Sequence, residues 1–261
     1  MRIDTAGQKG NPVIIMLNGS FTTGRPLQRF AQQYLAEDYY VICPTWDGHD
    51  EEGGVFDTRA GQAKKILAWL KDNAITEVAL LQGLSMGAEV AVELTRQIRD
   101  DDAVIVRRCF CDGGPFFAFP TPFRSLMYMK FRNFIHLGKN GQTEKLMNNR
   151  MIKWMVHGDI EPYREMMGDL PVDVLTDETI RNESDACYTF DFPAFSREEQ
   201  RKMVFSWSTD EPARKSAKKI KRAYPYAAYK SPGAMGHGGF ILRDPEKYAA
   251  VMRKLAGKES R

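Results

Sequence analysis

The chain has 261 residues and a formal net charge of +3, from 37 Lys and Arg against 34 Asp and Glu. With 43% hydrophobic and 27% charged residues its composition is that of an ordinary globular protein, which excludes a disordered chain, and the near-neutral balance leaves no electrostatic footprint for a nucleic acid. The length suits one or two domains, and uninterrupted apolar runs such as Val13–Leu17 are far too short to span a bilayer.

The run Val13–Leu17 stops at Asn18-Gly19 and reads as a buried strand entering a turn. Tyr39 to Cys43, ended by Pro44, and Val78 to Gln82, ended by Gly83, read the same way. None of the three alternates apolar with polar, so each is expected to be covered on both faces, as in a parallel sheet. Ala63, Ile66, Leu67 and Leu70 stand at helical spacing and predict a helix with one apolar face. After Ser85, the positions Gly87, Ala91, Leu94 and Ile98 predict another, with small residues first so that it sits close to the sheet. A strand over 104–111 follows, ended by Asp112-Gly113-Gly114-Pro115. Between about 115 and 195 there is no clear strand–helix unit; the segment is rich in Phe, Met, Tyr and Pro, with helical stretches at 143–156 and 160–168. Alternation returns with a strand at 202–207, a helix at 212–223, a strand at 226–230 and a last helix at 244–256. The expected fold class is α/β, a mostly parallel doubly wound sheet built from 1–114 and 196–261, carrying a mainly helical insertion over 115–195.

Gly83-Leu84-Ser85-Met86-Gly87 places G-x-S-x-G between a strand and a helix. A turn that tight tolerates almost no side chain beside the serine, which leaves the hydroxyl exposed at the carboxyl edge of the sheet. The N–H groups of the following helix then point at any negative charge that develops there.

On this motif and its setting the chain resembles the α/β-hydrolase superfamily over nearly its whole length. The resemblance implies a serine nucleophile at Ser85 and an oxyanion hole made by backbone N–H groups of Ser20 and Met86. Family members usually carry His-Gly where this chain has Asn18-Gly19, a departure that leaves the main-chain donors available. Asn18-Gly19-Ser20 is also a glycosylation sequon, here in a turn expected to be buried. The stretch 44–49 looks like the family's loop after the next strand. Of the four histidines, His49, His136, His157 and His237, only His237 follows the last expected strand, in Gly236-His237-Gly238-Gly239, where the family's base sits. His49 is expected in a solvated acidic loop with Asp47, Asp50, Glu51 and Glu52. The orienting carboxylate belongs after the strand at 202–207. Laying Ser208-Thr209-Asp210-Glu211-Pro212 on the family's Gly-x-x-Asp/Glu-Pro selects Glu211, whereas anchoring on the strand end selects Asp210. Glu211 is favoured and Asp210 is the alternative.

The segment 115–195 occupies the interval where family members often place a helical lid. Its Met and Phe side chains suit a pocket or the lid's own small core. The substrate contacts expected are Phe21, Trp46, Phe116, Met127 and Met155. The reading that follows is a serine hydrolase acting on a small-to-medium carboxylic ester, with a small acyl compound as partner and neither metal nor organic cofactor. Acyl transfer, amide cleavage, carbon–carbon hydrolysis and a non-catalytic ligand receptor are its alternatives. Cys43, Cys109, Cys111 and Cys187 lack metal-site spacing and read as reduced thiols; with no apolar h-region in MRIDTAGQKGNP, a cytoplasmic location is expected.

Overall fold

The computed structural model describes residues 1–156 and 158–257, with the side chains of Thr143 and Met151 left undescribed. His157 therefore lies outside the described residues. In chain order, β1 (Arg2–Ala6) and β2 (Val13–Leu17) precede α1 (Arg25–Tyr34) and β3 (Tyr40–Thr45). Next come α2 (Arg59–Asp72), β4 (Leu80–Leu84), α3 (Met86–Asp101) and β5 (Cys109–Asp112). The insertion supplies α4 (Thr121–Lys139), α5 (Thr143–Met147), α6 (Arg150–Met155), α7 (Arg164–Gly168) and α8 (Asp177–Tyr188). The chain then forms α9 (Arg197–Gln200), β6 (Met203–Ser206), α10 (Ala217–Ala223), β7 (Ala228–Lys230), α11 (Gly239–Arg243) and α12 (Pro245–Leu255).

The seven strands form one sheet in the order β1-β3-β2-β4-β5-β6-β7, parallel except for β1, which pairs antiparallel with β3 from Arg2↔Thr45 to Ala6↔Val41. Alternate strand residues serve opposite faces, as the two-residue period requires. Ile15, Leu17, Leu81, Cys111 and Phe205 join the core under α2, α3 and α10, while Ile14, Met16, Leu80, Phe110 and Val204 join the core under α1 and α12. Both faces being covered is why these strands read as continuous apolar runs. The insertion has a third, smaller core around Phe134, Ile135, Leu146, Met147, Tyr163, Leu175 and Ile180.

Several elements lie outside the sequence expectations, among them β1, α1, and the long helices α4 and α8 within the insertion. The edge strand β1 is only half-buried and polar at alternate positions, so it lacks the apolar run that marks a central strand. Two expected strands also begin later than expected. Glu77–Val78 and Ile105–Val106 pair with each other as a separate two-stranded sheet, and the main strands start at Leu80 and Cys109.

Candidate active site

Ser85 sits at the turn from β4 into α3 with φ 56° and ψ −123°, a left-handed conformation that a non-glycine residue adopts only when its surroundings hold it there. The flanking glycines explain how. A Cβ on Gly83 would lie 2.2 Å from Gly87 O, and one on Gly87 would lie 2.4 Å from Leu17 O. Both positions are closed to any side chain by backbone atoms, which cannot move aside. The Ser85 N–H is fixed by donating to Asp112 O at the end of β5 (2.9 Å).

The loop after β7 carries His237 back over the strand ends. Ser85 Oγ donates to His237 Nε2 at 2.9 Å, and His237 Nδ1 donates to Glu211 Oε2 at 2.6 Å. Because Nδ1 faces a carboxylate it carries the ring proton, and Nε2 is left with its lone pair toward the serine. Glu211 is itself held, its other oxygen accepting the Ser208 N–H at 2.6 Å. Asp210 takes a different part. Its Oδ1 accepts the Gly236 N–H at 2.9 Å, one residue before the histidine. The insertion adds a further tie, since the His237 N–H donates to Met155 O at 2.9 Å.

Burial alone would depress the His237 pKa, but the hydrogen bond and charge of Glu211, with the charge of Asp112 added, outweigh it and hold the group above its ordinary 6.5. Asp112, fully buried behind the pair, is pushed up to about 7, first by burial and then by the charge of Glu211.

Asn18 is 2% exposed, and its amide donates to Thr22 O at 2.5 Å. In this way the asparagine staples the loop where the family's usual histidine is absent, and it is closed to glycosylation. The loop runs close over the Ser85 turn, a Cβ on Gly19 lying 3.2 Å from Ser85 Cβ. Ser20 and Met86, the two expected backbone donors, flank Ser85 from the loop and from the first position of α3.

A cavity of about 210 Å³ opens on Ser85 and His237. Phe21, Met127 and Met155 line it, together with Leu84, Phe131, Ile152, Trp154, Met166, Met167, Leu170 and Tyr188. Among the described residues that line it there is no Asp, Glu, Lys or Arg. Trp46 and Phe116 are corrections to the expected substrate contacts. Trp46 is fully buried against Phe56, its Nε1 donating to Gly19 O at 3.4 Å. Phe116 is fully buried in an aromatic cluster with Phe190, Phe205 and Trp207. Large rings next to the sheet are drawn into its core, where burying one is worth roughly 1.5–3 kcal/mol.

His49 is also a correction. It is completely buried, with Nδ1 3.1 Å from Asp47 O and Nε2 3.1 Å from Glu183 Oε1. Glu183 comes from α8, which packs against this loop, Thr179 lying beside Gly48. The residues that sequence reasoning missed are Glu183, Cys187 and Asp112. A signal for α8 was present in Thr176, whose side chain caps the helix by accepting the Thr179 N–H, and in the acidic first turn Asp177-Glu178. The four cysteines are free and buried. Among the described residues no group of three His, Cys, Asp or Glu is placed to hold a metal, and no helix is long and apolar enough to cross a membrane.

The fold is shared with solved structures at low identity. An alpha/beta hydrolase enzyme from a Medee basin deep-sea metagenome library matches with a TM-score of 0.76 at 14% identity, covering 100% of this chain and 95% of that one. An esterase from Exiguobacterium antarcticum matches with a TM-score of 0.73 at 16% identity, covering 98% and 95%. A curated relative, 1H-3-hydroxy-4-oxoquinoline 2,4-dioxygenase from Pseudomonas putida, is 29% identical over 101 residues, which span 38% of this chain and 37% of that protein's length. The family model described as "Alpha/beta hydrolase family" matches residues 14–251, and with it the sheet order and the tight turn at Ser85 agree: this chain belongs to the alpha/beta hydrolase family.

Proposed function

We propose that the protein is a serine hydrolase of small-to-medium carboxylic esters with an apolar acyl group. The observation that carries this reading is the chain of two hydrogen bonds from Ser85 through His237 to Glu211, at 2.9 and 2.6 Å, at the mouth of a cavity whose described lining holds no Asp, Glu, Lys or Arg. Ser85 Oγ attacks the ester carbonyl while His237 Nε2 takes its proton. Glu211 holds the Nδ1–H tautomer and stabilises the imidazolium that forms. The N–H groups of Ser20 and Met86 receive the oxyanion, with the amino end of α3 aimed at the same charge. His237 then returns the proton to the departing alkoxide, and water releases the acid by the same steps in reverse. The dioxygenase match covers too little of either chain to bring that reaction here.

The direct test is labelling with a fluorophosphonate probe and mass-spectrometric mapping of the adduct, which is expected on Ser85. An unlabelled Ser85 in folded protein favours the receptor alternative. Amides, carbon–carbon diketones and acyl acceptors other than water separate the remaining alternatives by product.

The cavity predicts a chain-length profile. Each methylene buried contributes about 0.8 kcal/mol, or roughly fourfold, until the space is full. For p-nitrophenyl esters kcat/KM is therefore expected to rise from acetate through butyrate and then fall as the acyl chain meets the floor of the cavity. A profile highest at acetate and declining steadily would place the acyl group elsewhere.

The pH profile follows from His237. Only the neutral imidazole accepts the serine proton, and its pKa lies above the ordinary 6.5. The acidic limb of kcat/KM is expected to have its midpoint above that value, with activity rising as pH rises through it. A midpoint below it contradicts the ion-pair environment.

A further inference from the structure

Helix α8 turns Glu183 and Cys187, four residues apart and so on one face, toward the loop after β2. The Glu183 carboxylate is completely buried and accepts the Phe21 N–H, 3.1 Å from Oε2. Cys187 Sγ lies 3.2 Å from Ser20 Oγ. The loop is thus held at the N–H of the peptide unit that joins Ser20 to Phe21 and at the Ser20 hydroxyl. Phe21 has φ 60°, a conformation a bulky residue keeps only when its surroundings over-determine it, and the Glu183 hydrogen bond falls on that residue's N–H.

The carboxylate has its own support. His49 Nε2 lies 3.1 Å from Glu183 Oε1, while its Nδ1 faces the Asp47 carbonyl. Burial alone would lower the His49 pKa, but the nearby charge of Glu183 outweighs it and holds the group above its ordinary 6.5. A buried carboxylate without such a partner carries a heavy desolvation penalty. Glu183 is absent from the cavity lining, so it reaches the reaction only through the loop.

We propose that Glu183, backed by His49, is a positioning residue that aims the Ser20 N–H at the oxyanion, so that helix α8 of the insertion completes a site whose reacting groups lie on the sheet. This rests on the esterase reading above. Three variants separate reach from charge, with kcat and KM measured on p-nitrophenyl butyrate and the thermal midpoint followed in parallel. Glu183→Gln keeps an acceptor oxygen at the same reach and offers its amide N–H to a neutral His49, so kcat is expected within about threefold of wild type. Glu183→Asp keeps the charge but withdraws it by a methylene, and kcat is expected to fall about tenfold or more with KM within about twofold, because a 1 Å misplacement is worth up to roughly 100-fold. Glu183→Leu loses both and is expected to fall about 100-fold. If Glu183→Leu does not fold, the first two decide. Wild-type kcat in Glu183→Asp, or a fall in Glu183→Gln as deep as in Glu183→Asp, overturns the positioning role while the wild-type enzyme still turns over. Wild-type protein that neither hydrolyses the ester nor takes the fluorophosphonate overturns the underlying reading and this proposal with it.

Discussion

Ser85→Ala is expected to lower kcat for p-nitrophenyl butyrate on the order of 10⁴-fold or more, with the thermal midpoint nearly unchanged. The loss is large because the hydroxyl is the only atom proposed to bond the substrate. Oxyanion donors and binding then leave a residual rate, as they do in other triads. Stability is spared because alanine keeps the Cβ that already fits beside Gly19, and the Ser85 N–H still donates to Asp112 O. The measurement is steady-state hydrolysis by protein from an esterase-free host, with folding checked by circular dichroism. Activity within about tenfold of wild type would remove Ser85 from the mechanism.

The second large effect separates two adjacent carboxylates. Glu211 uses both oxygens as acceptors, one for the Ser208 N–H and one for the His237 Nδ1–H, and is 5% exposed. A glutamine there has one acceptor oxygen, so its amide group must face one of two N–H donors. The imidazole loses either its anchor or its tautomer, and kcat is expected to fall by about 10³–10⁴-fold in Glu211→Gln. The acidic limb of whatever activity remains should move to lower pH, because the hydrogen bond and charge that outweigh burial at His237 are gone. Asp210→Asn is expected to stay within about tenfold, since an asparagine oxygen still accepts the Gly236 N–H. The reverse order of the two variants would make Asp210 the orienting acid. Small losses in both would send the search for the carboxylate elsewhere in the chain.

Much of the site was legible because its parts are local patterns. Gly83 and Gly87 flank Ser85 at a spacing that only a strand–turn–helix needs, and the backbone approaches at those two positions give the reason. His237 follows the last parallel strand within a run of glycines. The choice between Asp210 and Glu211 was different in kind. Residues adjacent in sequence point in different directions; the pattern ending at Pro212 favoured Glu211 but the strand end left Asp210 open, and only the fold brings one of the two to an imidazole 26 residues away. The structure gives both of them work, Glu211 on the ring and Asp210 on the loop that carries it. Trp46 and Phe116 show the opposite limit. An aromatic residue after a strand suits a pocket or a core equally well, and both of these rings lie in the core.

By itself, then, the amino-acid order determined what short-range physics controls. Buried parallel strands read as unbroken apolar runs, surface helices as a 3.6-residue period, and the nucleophile turn as two glycines about a serine. Tertiary structure alone decided which distant groups share a space. The half-buried β1 is a strand because β3 offers its edge. His49 sits among acidic residues that predict a solvated loop, yet it is fully buried, with Glu183 of α8 3.1 Å from its ring. Phe21 and Glu183 meet across 162 residues, and within the insertion Met147 goes to its own core, Met127 to the cavity and Met129 to the surface. Burial and partner choice depend on the sum of all packed surfaces, and no window of sequence contains that sum.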